Sequence, residues 1–118
     1  MPIEHTITVV PVADLREAEA FYAALLGRPA DSRPTPALVQ WRLTDSGWVQ
    51  LVEDPARAGA AQLNLAVDDL VATKDELVGR GLEPAETQAV SKGVELSALH
   101  DPSGNMITLI GNFGVLLA

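Results

Sequence analysis

Val12-Ala13-Asp14-Leu15 returns 55 residues later as Val67-Asp68-Asp69-Leu70, and this repeat decides how the chain is read. Ahead of the first copy, Thr6-Ile7-Thr8-Val9-Val10-Pro11-Val12 is rich in β-branched residues and predicts a strand. Asp14 then stands as an N-cap, with Glu17 in the capping-box position. Leu15, Ala18, Phe21, Tyr22, Leu25 and Leu26 recur at helical spacing on one apolar face, and Gly27 ends the helix. Pro29, Pro34 and Pro36 break the next stretch into an irregular connection with room for a short edge strand. Two strands follow at 39–43 and 48–52, around the turn Asp45-Ser46-Gly47.

The second copy sits in the same order of elements. Residues 62–67 predict a strand, and Asp68 or Asp69 caps a helix that carries Leu70, Thr73, Leu77 and Val78 on one face. Gly81 ends it, 54 residues after Gly27. Strands are expected at 82–90 and 93–99, then a turn at Asp101-Pro102-Ser103-Gly104-Asn105, then a last strand at 106–110. A strand, a capped helix, a glycine and a run of strands thus occur twice. The pattern implies an α+β fold of two βαβββ modules, about 4–54 and 61–111, within one domain spanning 1–118. A doubly wound parallel sheet would need a helix after nearly every strand.

Composition narrows the function classes. The 118 residues include 47% apolar side chains, enough for a packed interior. With no cysteine there is no disulfide framework, zinc ribbon or thiol nucleophile, which suits a reducing, cytoplasmic setting. The start of the chain has no basic and apolar leader pattern, and no apolar run is long enough to span a bilayer. Eight basic against 16 acidic residues leave a net charge of −8, which repels nucleic-acid phosphates. That charge serves solubility and also favours a cationic ligand over an anionic one. No P-loop, G-x-S-x-G or G-x-G-x-x-G is present.

Three motifs carry a family resemblance. Asp14-Leu15 followed by Ala20-Phe21-Tyr22-Ala23-Ala24-Leu25-Leu26-Gly27 resembles the first-module signature of the vicinal oxygen chelate superfamily, which includes glyoxalases, bleomycin-resistance proteins and extradiol dioxygenases. Val67-Asp68-Asp69-Leu70 resembles the start of its second module, and Asp101-Pro102-Ser103-Gly104-Asn105-Met106-Ile107-Thr108-Leu109 its final hairpin. The resemblance spans roughly residues 5–111. It implies two half-barrels that form a cleft, and in metal-dependent members up to four His, Glu or Gln ligands, one from each of four strands. Those positions map here to Ile7, Gln50, Gln62 and Thr108.

The four residues are poor metal ligands. A divalent ion needs imidazole, carboxylate or thiolate donors to bind tightly, and a sec-butyl group, two neutral amides and a hydroxyl supply none. No metal or other cofactor is therefore expected. A non-standard set of His5, Glu53 and His100 is the alternative; it requires a register shift at His5 and a bulge at Glu53. Gln50 and Gln62, as facing amides, would suit a neutral polar ligand, or would bond to each other. Asn64 shares the strand face of Gln62 and extends the polar lining. Trp41 and Trp48 are both candidates to line the cleft, since the hairpin register that separates core from cleft is open at this point. Tyr22 is expected in the core with its hydroxyl at the edge.

Three functions compete. The first is a metal-free protein that binds or sequesters a small molecule, as the resemblance to bleomycin-resistance proteins implies, in a dimer to which the apolar tail 113–118 contributes. The second is a metal-dependent lyase, isomerase or dioxygenase with non-standard ligands. The third is an interaction module whose cleft is filled by side chains. The first is the expectation carried forward.

Overall fold

The computed structural model describes residues 1–117. The chain forms two four-stranded mixed sheets, each with one helix, in an α+β arrangement. The first unit runs β1 (Thr6–Val12), α1 (Leu15–Leu26), β2 (Ser32–Thr35), β3 (Leu38–Arg42) and β4 (Gly47–Glu53). The second runs β5 (Gln62–Val67), α2 (Leu70–Gly79), β6 (Gln88–Ala89), β7 (Glu95–His100) and β8 (Met106–Gly111). Strand order is β1-β4-β3-β2 in one sheet and β5-β8-β7-β6 in the other. In each, the strand before the helix pairs in parallel with the last strand, and the other pairings are antiparallel. The two sheets do not close into one barrel.

The helix signals act as read. Asp14 Oδ1 accepts from Glu17 N at 3.1 Å, and Asp69 Oδ1 accepts from Ala72 N at 3.0 Å. Both helices end in a left-handed glycine: Gly27 has φ +76° and Gly81 φ +86°. Arg28 N then donates to Ala23 O, and Leu82 N to Leu77 O, the six-residue closure such an ending provides. The edge strand β2 tolerates Pro34 because it pairs on one side only.

One expectation is corrected. The strand read at 82–90 shrinks to Gln88–Ala89. Pro84 has no N–H for a ladder, and the Ala85 carbonyl is taken by Ser97 Oγ at 2.6 Å and Lys74 Nζ at 2.9 Å. The residues before β6 are thus held by these side chains and by a single backbone bond, Ala85 N to Ala98 O at 2.8 Å, and not by a continuous ladder.

Each sheet has a face covered by helix and an open face. Val10 and Val12, Val39 and Trp41, Val49 and Leu51 turn to α1, meeting Leu15, Ala18, Tyr22 and Leu25. Leu63, Leu99, Ile107 and Leu109 turn the same way in the second unit, with Leu70 and Leu77 of α2, and all of these join one core. The 101–105 turn ties the units together. Asp101 Oδ2 accepts from Tyr22 Oη at 2.9 Å and from Asn105 Nδ2 at 2.9 Å. Asn105 Nδ2 also donates to Pro11 O at 2.8 Å, and its Oδ1 accepts from Gly59 N and Ala61 N, both at 2.9 Å. Tyr22 is therefore wholly buried, its hydroxyl as well as its ring, contrary to the edge position expected. Burial and then the adjacent Asp101 carboxylate hold its phenol well above the usual tyrosine range.

Candidate functional site

Alternation along the strands decides which side chains reach the open faces. In the first sheet Val9 lies beside Gln50 and Ile7 beside Trp48 across the parallel pair β1/β4. Across the hairpin, Gln40 lies opposite Gln50, Arg42 opposite Trp48, and Trp41 opposite the buried Val49. Ile7, Trp48 and Gln50 therefore share the open face. Trp41 does not. It is fully buried against α1, 6.3 Å from the Tyr22 ring, with Nε1 donating to Arg28 O at 3.0 Å. The register of the hairpin puts Trp41 on the helix-covered face and Trp48 on the open one.

The open face of the first sheet is apolar at one edge and amide-lined at the other. Ile7 is 54% and Val9 51% exposed. Trp48 is half-buried, with His5 edge-on at 6.1 Å, its Nε1 donating to His5 Nδ1 at 3.2 Å, and the Arg42 guanidinium 5.9 Å over its ring. Gln50 Nε2 donates to Gln40 Oε1 at 2.9 Å, and Gln40 Nε2 donates to Ser32 Oγ at 3.0 Å. Gln50 thus pairs with Gln40, and the expected Gln50–Gln62 pair does not form. Sequence reasoning passed over Gln40 and Ser32. The alternation Val39-Gln40-Trp41 carried the signal for Gln40, because it sets Gln40 opposite in sense to both buried neighbours.

In the second sheet Gln62, Asn64 and Thr108 share the open face, with Asn64 directly beside Thr108 and Gln62 beside Met106. A cavity of about 470 Å³ lies at the seam of β1 and β5, lined by Thr6, Thr8, Leu26, Trp48, Leu63 and Asn64 among others. It brings Trp48 and Asn64 to one space; Ile7, Gln50, Gln62 and Thr108 are not in its lining. Thr108 lines a smaller cavity of about 220 Å³ with Gln88, Leu96, Ala98 and Met106.

His5, Glu53 and His100 go to three places. Glu53 Oε2 accepts from Leu15 N at 3.0 Å and so caps α1. His5 is engaged with Trp48, and His100 is exposed at the end of β7. The non-standard ligand set therefore does not assemble. Among the described residues no three His, Cys, Asp or Glu side chains are grouped to hold a metal ion. On the open strand faces of the described residues the ionisable side chains are Arg42 and His100, beside His5 just ahead of β1, and Glu86 lines the Thr108 cavity from the segment before β6. No carboxylate stands at any alternating position of β1, β3, β4, β5, β7 or β8 on that side.

Elsewhere the acids are used locally. Asp31 accepts from the Arg42 backbone N–H and from the Arg28 guanidinium, which in that order hold its carboxyl below the usual range. Of the described helices, none is long and apolar enough to cross a membrane.

The model of the glyoxalase-like domain matches residues 7–110. A solved glyoxalase/bleomycin resistance protein from Catenulispora acidiphila DSM 44928 is 31% identical, with a TM-score of 0.85 over 91% of this chain and 96% of that one. TnmS3, an antibiotic binding protein from Streptomyces sp. CB03234, is 26% identical, with a TM-score of 0.74 over 94% of this chain and 98% of that one. A bleomycin-binding protein solved in complex with bleomycin shares the fold at 21% identity and a TM-score of 0.73, covering 92% of this chain and 98% of that one. No protein of curated function matches the chain.

Proposed function

From the premise that the chain belongs to the glyoxalase-like, glyoxalase/bleomycin-resistance family, we propose that it binds or sequesters a small molecule and does so without a metal ion. The observation that carries this reading is the donor chemistry at the four mapped positions. Ile7 offers no donor atom, Gln50 already spends its amide N–H on Gln40, and Gln62 and Thr108 are uncharged. That set does not fit a divalent cation, whose charge has to be met by anionic or imidazole ligands. The same residues, with Trp48 and Asn64, suit an organic ligand, which needs apolar contact and a few directional polar groups. Relatives of the same fold bind an antibiotic and bleomycin by their own descriptions, which supports the ligand class.

The working form is a homodimer in the cytoplasm. Gln50 and Gln62 bond to no common partner within one chain, and the Ile7–Val9 edge is open, so a second copy would set a first-sheet face against a second-sheet face. The net charge of −8 draws cationic molecules toward the protein at long range.

Elemental mass spectrometry of protein purified without chelator tests the metal-free reading. Trace metal is expected. About one equivalent of nickel, zinc, iron or manganese would replace it with the enzyme reading. A thermal-shift screen tests ligand binding, with a stabilisation of about 2.7 kcal/mol expected at a hundredfold excess over Kd. No shift across a broad panel, in protein that is dimeric, would favour a cleft closed by its own side chains.

A further inference from the structure

The amide chain on the first sheet has a direction. Gln50 gives its N–H to Gln40, Gln40 gives its N–H to Ser32, and Gln50 Oε1 is left as an acceptor without a partner among the described residues. Ser32 ends the chain on a hydroxyl, which donates as readily as it accepts. Half-turns of both amides would reverse every bond without moving a heavy atom position: Ser32 to Gln40, Gln40 to Gln50, and the Gln50 amide N–H₂ turned outward. The amide chain thus sits on a face that is apolar at Ile7, Val9, Leu38 and the Trp48 ring, with Arg42 at its turn end.

Charge is missing where a ligand would sit. The chain holds 16 acidic residues, and Glu86 lines the cavity of the second sheet, yet none stands on the open strand face of the first. A desolvated cation there would have no counter-charge, at a cost of several kcal/mol. The Arg42 guanidinium bonds through Nε and Nη2 to the Thr44 and Asp45 carbonyls and packs over Trp48, which holds it at the turn rather than beside the amides.

We propose that the open face of the first sheet recognises an uncharged aromatic molecule bearing a carboxamide, carbonyl or phenolic group. The ring packs on Trp48, Gln50 reads the polar group, and Gln40 and Ser32 set which way Gln50 points. This rests on the small-molecule reading above and narrows it: the acidic surface attracts cations from afar, but the contact chemistry is neutral.

The test is calorimetric titration of the protein with four matched probes: naphthamide, naphthoate, naphthylmethylammonium and methylnaphthalene. Naphthamide is expected to bind about tenfold or more tighter than any of the others, the spacing one well-made hydrogen bond gives. Gln50→Leu should remove that margin and leave methylnaphthalene unchanged. Ser32→Ala, an exposed edge change that leaves the core alone, should weaken naphthamide a few-fold and again spare methylnaphthalene. Gln50→Glu should turn the preference to naphthylmethylammonium. Tightest binding of an ion by the unaltered protein overturns the inference and leaves the small-molecule reading standing. So does naphthamide binding that neither Gln50→Leu nor Ser32→Ala weakens. If no probe binds at millimolar concentration, the inference falls, and the thermal-shift panel decides separately whether the small-molecule reading stands.

Discussion

Asn105→Asp exchanges one atom and should cost the protein several kcal/mol at neutral pH. Asn105 is 1% exposed and fills all four of its hydrogen-bonding roles. Aspartate keeps the acceptor for Gly59 and Ala61 but turns the amide N–H₂ into an oxygen, 2.8 Å from the Pro11 carbonyl and 2.9 Å from the Asp101 carboxylate. Losing a neutral bond costs about 1 kcal/mol and a bond to a charged group about 1.5–3 kcal/mol. Bringing two buried carboxylates together adds repulsion until one takes up a proton. The sum is about 4 kcal/mol at pH 7, a large share of the roughly 5–15 kcal/mol that holds a domain folded. The proton that restores a donor is bound more tightly in the folded variant, so its stability should rise as pH falls from 8 to 5, by at most about 1.4 kcal/mol per pH unit. Asn105→Ala loses all four bonds and should cost a similar amount with no such slope. Urea unfolding followed by near-ultraviolet dichroism at several pH values measures both. If the aspartate variant lies within about 1 kcal/mol of the parent at pH 7, or is flat with pH where alanine is also flat, the account of this turn as the tie between the units is wrong.

Tyr22→Phe removes the hydroxyl that donates to Asp101 and should cost about 1–2 kcal/mol near neutrality. The raised folded-state phenol pKa means its contribution is complete below the ordinary value of 10.0 and is lost as pH climbs beyond it, where the unfolded chain ionises first. The parent should therefore lose about 1.4 kcal/mol per pH unit there and the Phe variant should not, in urea midpoints at pH 9–11. Gly59→Ala should cost about 2–3 kcal/mol: φ is +102°, and the new Cβ would stand 2.8 Å from the Ser103 carbonyl oxygen; a thermal melt within error of the parent counts against it. The two tryptophans should separate cleanly. Acrylamide should quench Trp48 in a Trp41→Phe protein and barely touch Trp41 in a Trp48→Phe protein. The first substitution, at a fully buried ring bonded to Arg28, should also be the more destabilising by about 1–2 kcal/mol.

What could be read from the sequence is what short-range physics encodes. The cap at Asp14, the glycine endings at 27 and 81 and the strand of Gln62–Val67 each depend on a handful of neighbouring residues and stand where they were read, and of the two candidates Asp68 and Asp69 the second is the cap. The sides of the strands needed register. A hairpin slipped by one residue exchanges Trp41 for Arg42 and Gln40, so the core and the cleft could not be told apart until Trp41 was seen opposite Val49. The partner of Gln50 failed for the same reason: Gln62 was the obvious amide by motif spacing, but Gln40 is its neighbour across the pair. The role of the 101–105 turn was hidden for a different reason. Its composition announces a turn and nothing in it announces burial, since the bonds that bury it reach back 94 residues to Pro11 and 79 to Tyr22.

These two kinds of legibility fall on different parts of the molecule, and the division has a functional consequence. Helix-covered strand faces, the caps and the buried turn carry the stability. The open faces carry almost none of it: Ile7, Val9, Gln62 and Asn64 are exposed, and Gln50 and Gln40 bond mainly to each other and to Ser32. Surface positions of that kind tolerate exchange at little cost, typically within about 0.5 kcal/mol. A fold held from the other side leaves its open-face residues free to change while the core stays the same. Substitutions at Ile7, Gln50, Gln62 and Thr108 should therefore move ligand binding far more than melting temperature, and the reverse should hold for Trp41, Tyr22 and Asn105.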